Sequence, residues 1–139
     1  MPEESTTPDV VELTHRAFGF LNSRDLDAVV GLLSPTCVCD MSRWGLDVYT
    51  GAEAIRAFSD DWLGTLYEFA VQVDEIEDFG NGVVYVEQVA HRARTPGGFI
   101  ELPSSLLGVW DGGLLARVTL YPDPDEARAA AERLAEEMG

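Results

Sequence analysis

The sequence predicts an α+β domain: a strongly curved antiparallel meander sheet with helices packed across its concave face, enclosing a cone-shaped pocket. Three observations carry that reading. The first half of the chain repeats apolar residues at helical spacing in three places. The second half is a run of strand-like segments whose glycine-rich connections are too short for parallel crossovers. The last segment, "DPDEARAAAERLAEEMG", returns to helical composition behind an N-terminal cap signal.

Taken in order, the first helix is expected to open at Thr7-Pro8, a cap followed by proline at the first helical position. It continues to about Ser23, with Val10, Leu13, Thr14, Ala17, Phe18 and Leu21 on one face, and residues 1–7 read as a flexible tail. Asp25 caps a shorter helix from Leu26 to Leu33, which Pro35 is expected to stop. From Thr36 the pattern becomes a short strand, followed by a loop containing Gly45, Asp47 and Gly51. Beyond it Ala54, Ile55, Phe58, Trp62 and Leu66 recur at helical spacing and predict a third helix. Four strands follow, "YEFAVQVDEIEDF", "VVYVEQVAHRART", "FIELPSSLLGVW" and "LLARVTLY". Asn81-Gly82 and Gly112-Gly113 are strong hairpin turns between them, so successive strands pair antiparallel. Asp123, Pro124 and Glu126 then form a capping box for a C-terminal helix.

The 139 residues fit one domain, 1–139, without repeats or linkers. With 46% hydrophobic and 24% charged residues the composition is that of a soluble globular protein. A net charge of -16 argues against nucleic acid and anionic membrane as partners, because like charges repel. No apolar run approaches the roughly 18 to 20 residues a membrane span needs, and "MPEESTTPDV" has no signal-peptide pattern, so a cytoplasmic location is expected. Cys37 and Cys39 are same-face neighbours on one strand, with α-carbons about 6.5 to 7 Å apart, the limit for a disulfide. They read as free buried thiols. No histidine or cysteine spacing suggests a metal, and no glycine motif suggests a nucleotide cofactor.

The order of these elements resembles the SnoaL-like branch of the nuclear transport factor 2-like superfamily. So do "FLNSRDLDAVVGLLSPTCVCDMS", the stretch from Tyr49 to Phe58, and "GVWDGGLLARVTLYPDPDEA". That group holds ketosteroid isomerases, polyketide cyclases, limonene-type epoxide hydrolases and members without catalysis. The resemblance implies a cofactor-independent enzyme using general acid/base chemistry on a hydrophobic, oxygenated small molecule, by isomerisation, cyclisation, dehydration or epoxide opening. Its alternatives are a non-catalytic binding domain with the same pocket, or an interaction domain; relatives often form homodimers through the outer sheet face. The aspartate on the first strand commonly points into the cone in such relatives, and the matching residue is Asp40. The isomerase pattern is otherwise broken, since the first-helix position is Ala17 or Phe18 and Ser105 to Leu107 holds no acid. The epoxide hydrolase triad is broken as well, with Glu87-Gln88-Val89-Ala90 and Thr119 at its positions.

Asp40 is the leading catalytic candidate: a carboxylate facing an apolar cone would be desolvated and its pKa raised toward the range useful for proton transfer. Strand alternation puts His91 and Glu87 on one face with Tyr85 and Val89, while Val84, Val86, Gln88, Ala90 and Arg92 form the other. Alternation alone does not distinguish which of the two sets lines the pocket. Arg117, Thr119 and Tyr121 share a face of the last strand, which the resemblance turns inward. Catalysis is thus assigned to Asp40, His91, Arg117 and Tyr121, and substrate contact to Trp44, Tyr49, Trp62, Glu87, Thr119 and Trp110. The aromatic members suit a flat apolar ligand.

Overall fold

The computed structural model describes residues 9–64, 68–95 and 97–138. Its elements run α1 (Val10–Asn22), α2 (Leu26–Gly31), β1 (Leu33–Asp40), a 3-10 turn (Ser42–Trp44), β2 (Val48–Thr50), α3 (Ala52–Gly64), β3 (Glu68–Gly80), β4 (Val83–Thr95), β5 (Gly98–Asp111), β6 (Leu114–Tyr121) and α4 (Pro124–Met138). The six strands form one open, curved sheet in the order β2-β1-β6-β5-β4-β3. The α+β class and the meander from β3 to β6 are those the sequence predicts.

Boundaries differ where local chemistry competes. Asp9 caps α1, its Oδ1 accepting from the Val11 and Glu12 amides at 3.0 and 3.4 Å; Thr7-Pro8 lies outside the described residues. Asp25 caps α2 as expected, accepting from the Ala28 amide at 3.2 Å. That helix ends at Gly31, and Pro35 sits inside β1 instead of stopping a helix. Proline has no N–H to donate, and it falls in the stretch between Leu33 and Val38 where the pairing of β1 with β6 is irregular. The supposed loop after β1 contains β2, with Tyr49 opposite Cys39.

Both hairpin turns have left-handed backbone at their two central residues, φ 57° and 83° for Asn81 and Gly82, 61° and 86° for Gly112 and Gly113. Two-residue connections of this kind match the twist of the strands they join. Connections alone did not reveal the pairing of β1 with β6, which is parallel: Val38 lies opposite Arg117, Cys39 opposite Val118 and Asp40 opposite Thr119.

Helices cover both faces of the sheet. Leu13 of α1 packs with Val84 and Trp110, and the Trp110 indole donates to Thr14 Oγ1 at 3.0 Å. On the other face Ala127, Ala131 and Ala135 of α4, one turn apart, lie against Val83, Tyr85, Leu107, Val109 and Tyr121. Alanine at each contact lets the helix approach closely, and both faces of β4 are sealed, leaving Val83 to Val86 at most 1% exposed. The Asn81 side-chain amide donates to the Ala135 carbonyl at 2.8 Å, satisfying one of the acceptors that the end of α4 leaves unpaired. Arg128 anchors α4 further, ion-paired to Glu75 and Glu77 and stacked 4.6 Å above the Tyr85 ring.

Gly82 is the tightest backbone approach: a Cβ there would lie 2.2 Å from the Trp110 carbonyl oxygen, at φ 83°. Gly82→Ala is expected to destabilise by more than about 1 kcal/mol, while Gly112→Asn, into open space, stays within about 0.5 kcal/mol. Urea unfolding midpoints of the two variants measure this directly; equal midpoints would contradict the packing described.

Candidate functional site

The parallel register of β1 on β6 aligns side chains in transverse rows on the face that α4 partly covers. Asp40, Thr119, Leu107 and Tyr85 form one row; Tyr121, Ser105 and Glu87 form the next. Between this face and α4 lies a cavity of about 350 Å³, lined on the sheet side by Asp40, Arg43, Leu107, Arg117, Thr119 and Tyr121. Helix α4 supplies Ala130, Arg133, Leu134 and Glu137.

Asp40, its side chain 14% exposed, is held in this cavity by Ser42. Its Oδ1 accepts from the Ser42 amide at 3.0 Å and from the Ser42 hydroxyl at 2.6 Å. Its Oδ2 faces Arg43 and Arg117, each at 3.8 Å, close enough for attraction and too long for a hydrogen bond. The expected rise in pKa does not occur. The two Ser42 hydrogen bonds hold the Asp40 carboxyl below its ordinary value of 3.8, outweighing desolvation, and the two arginines add to the effect. Asp40 is therefore a carboxylate at neutral pH. It favours the folded state above its ordinary pKa, and that contribution is lost as pH falls through the lower folded-state value.

Arg43 bridges to α4, with Nε 3.7 Å from Glu126, and its guanidinium sits 4.5 Å above the Tyr121 ring. Tyr85, fully buried, donates to Glu87 at 3.1 Å and lies 3.5 Å from Ser105 Oγ; burial pushes its phenol pKa up. Glu87 thus joins the face of Asp40 one row away.

Other sequence-derived candidates separate from this cluster. Trp110 is a core residue on the α1 face, and Tyr49 stacks on Phe58 of α3 with ring centroids 4.4 Å apart. Strict alternation does not connect Glu87 to His91, because β4 has an extra residue between them: Glu87 pairs with Ser105, Gln88 with Ser104 and His91 with Leu102. The side chains of His91, Trp44 and Trp62 lie outside the described residues. Both cysteines are free, and burial pushes Cys37 to about 11 and Cys39 to about 12, so neither is a thiolate near neutral pH. Among the described residues no group of three or more His, Cys, Asp or Glu side chains is placed to hold a metal ion. No helix among them is long and apolar enough to cross a membrane.

The sequence offers Ser42 as a hydrogen-bond partner of Asp40, which the structure shows, but sequence reasoning missed Arg43 and the α4 wall. A signal for the last was present: Ala130, Arg133, Leu134 and Glu137 follow i, i+3, i+4, i+7 spacing and share one helix face.

The model of the SnoaL-like domain matches residues 14–118. The chain belongs to this family. No curated protein matches the sequence. Among solved structures, Bal32a from a soil-derived mobile gene cassette superposes with a TM-score of 0.73, at 16% identity, over 81% of this chain and 87% of its own. A protein of Shewanella putrefaciens CN-32, named as a SnoaL-like polyketide cyclase, does so with a TM-score of 0.71 at 12% identity, covering 92% and 98%. TerC, co-crystallized with polyporic acid, gives 0.70 at 16% identity, covering 88% and 98%. At such identities the likeness establishes the SnoaL-like fold and nothing about turnover.

Ser42 is exposed and makes the two bonds that lower the Asp40 pKa. Ser42→Ala, which removes the hydroxyl bond, is expected to raise the Asp40 midpoint in a carbon-detected NMR titration without changing the fold. An unmoved midpoint would contradict the assignment.

Proposed function

We propose that this SnoaL-like domain is a cofactor-independent enzyme in which Asp40 acts as a general base on an oxygenated carbon acid held in the α4 cavity. The observation that carries this reading is the division of labour within one carboxylate. Ser42 occupies Oδ1 and fixes its orientation, while Oδ2 has no hydrogen bond among the described residues and faces the cavity. An ionised oxygen so placed can take a proton from a carbon flanked by carbonyl groups. The electron pair of that C–H bond moves onto the carbonyl oxygen, producing an enolate, and Asp40 becomes the neutral acid. Arg117 stands where it can attract the developing negative charge. Where a double bond is conjugated to the enolate, Asp40 returns the proton to the far carbon of that system, an isomerisation; otherwise the enolate carbon attacks a carbonyl within the same molecule and the alkoxide so formed takes the proton back from Asp40, a cyclisation. A base with a lowered pKa suits acidic carbons, which need little driving force.

This reading refines the acid/base role expected from the sequence: Asp40 starts as base, since it is ionised. Tyr121, whose ring holds the Arg43 guanidinium, is a positioning residue in this scheme, and Thr119 a substrate contact. A second reading, a ligand-binding domain without turnover, is favoured by the same lowered pKa, because a well-stabilised carboxylate gains less from accepting a proton.

Exchange of the acidic C–H of ethyl benzoylacetate in deuterated buffer, followed by proton NMR, separates the two. The wild-type protein is expected to accelerate exchange above the buffer rate and Asp40→Asn to lose about 10² to 10⁴ of that acceleration. Equal rates in wild type and Asp40→Asn would refute the catalytic reading.

A further inference from the structure

The α4 cavity holds a concentration of cation that the rest of the chain does not lead one to expect. All nine basic residues are arginine, in a chain of net charge -16, and three of them, Arg43, Arg117 and Arg133, line this one cavity. Two carboxylates, Asp40 and Glu137, line it with them. Each guanidinium carries five N–H donors, and none of these three makes a hydrogen bond among the described residues. Arg43 and Arg117 stand 3.8 Å from Asp40, and Arg43 lies 3.7 Å from Glu126. Arg133 has no ion-pair partner among the described residues.

A second, independent feature points into the same space. Thr119 is 4% exposed and lines the cavity beside Asp40, yet its hydroxyl has no hydrogen-bond partner among the described residues. A hydroxyl buried in this way costs stability unless something supplies a partner. Valine would fill the same volume without that cost, so the hydroxyl is a donor held ready for a ligand oxygen. Leu107, Ala130 and Leu134 give the remaining wall an apolar surface.

We infer that the cavity between α4 and the sheet binds a small organic monoanion, a carboxylate or stable enolate attached to an apolar body. Its charged oxygens lie between Arg117 and Arg133, with one accepting from Thr119 Oγ1. The apolar body lies on Leu107, Ala130 and Leu134. The planar guanidinium fork matches a carboxylate in geometry as well as charge. The inference rests on the Asp40 cavity being the working site, and it makes α4 part of the specificity apparatus, discriminating acids from their neutral amides.

The test is a heteronuclear NMR titration of the labelled full chain with phenylacetate and with phenylacetamide. Phenylacetate is expected to shift the Thr119, Ala130 and Arg133 amides and to bind at least about tenfold more tightly than the amide, the effect of one favourable charged contact. Arg133→Gln, at an exposed position, is expected to weaken phenylacetate and leave the amide unchanged, whereas Thr119→Val weakens both ligands, since the amide carbonyl also accepts from the hydroxyl; Thr119→Ser keeps the hydroxyl and restores binding. Asp40→Asn tightens the anion by removing a competing carboxylate. Equal affinity for acid and amide, shifts confined to other surfaces, or undiminished binding in both Arg133→Gln and Thr119→Val would overturn the inference. Anion discrimination without proton exchange would sink only the catalytic reading, and exchange without discrimination only this one.

Discussion

The parallel pairing of β1 with β6 is the constraint on which the site depends. It is the one strand contact in the sheet that no hairpin dictates, and it places Asp40 beside Thr119 and Val38 beside Arg117. Side chains alternate at a period of two residues, so a slip of one residue would carry Asp40 to the face of Cys37 and Cys39, away from both arginines. The site therefore inherits its geometry from a register set by backbone hydrogen bonds. Leu115 of β6 reinforces that register, its amide donating to the Leu32 carbonyl at 2.7 Å, while Gly51 ties the β2 edge to β1 by donating to the Cys37 carbonyl at 2.8 Å.

The sheet is also a divider. Trp110 and Thr14 serve the α1 face, where the indole bond fixes a core residue; Tyr85, Thr119 and Tyr121 serve the α4 face. Polar groups gather on the second face because α4 covers it only in part. Its alanines seal the centre of the sheet, and its longer side chains, Arg133 and Glu137, roof the cavity toward β1. One helix thereby packs a core along one stripe and completes a site along another.

The electrostatics of Asp40 show why burial alone is a poor guide to a carboxyl group. Desolvation acts in the direction the sequence suggested, yet two hydrogen bonds from one neighbouring serine outweigh it. Ser42 follows Asp40 by two residues, a spacing at which side chains of this kind bond their local backbone. The signal was thus in the sequence, and its weight against burial became clear only with distances in hand. Spacing is limited in the same way for Glu87 and His91: strict alternation implied a shared face, and the backbone pairing of β4 with β5 carries an extra residue between the two positions. Bulges leave little trace in composition, because they are settled by how three strands fit together.

Local chemistry by itself determined the element order, the two hairpins, the cap of α2 and the family resemblance. Left-handed turn residues, capping side chains and hydrophobic period act within a few residues of their own position. Tertiary structure decided what connects distant parts of the chain: the partner strand of β1, the face that α4 covers, and the meeting of Asp40 with Arg117 in a cavity that Arg133 also lines. Those choices compare whole surfaces against one another, the alanine stripe of α4 against the apolar rows of β4, β5 and β6. No local pattern contains that comparison, and the chemistry of the site follows from its outcome.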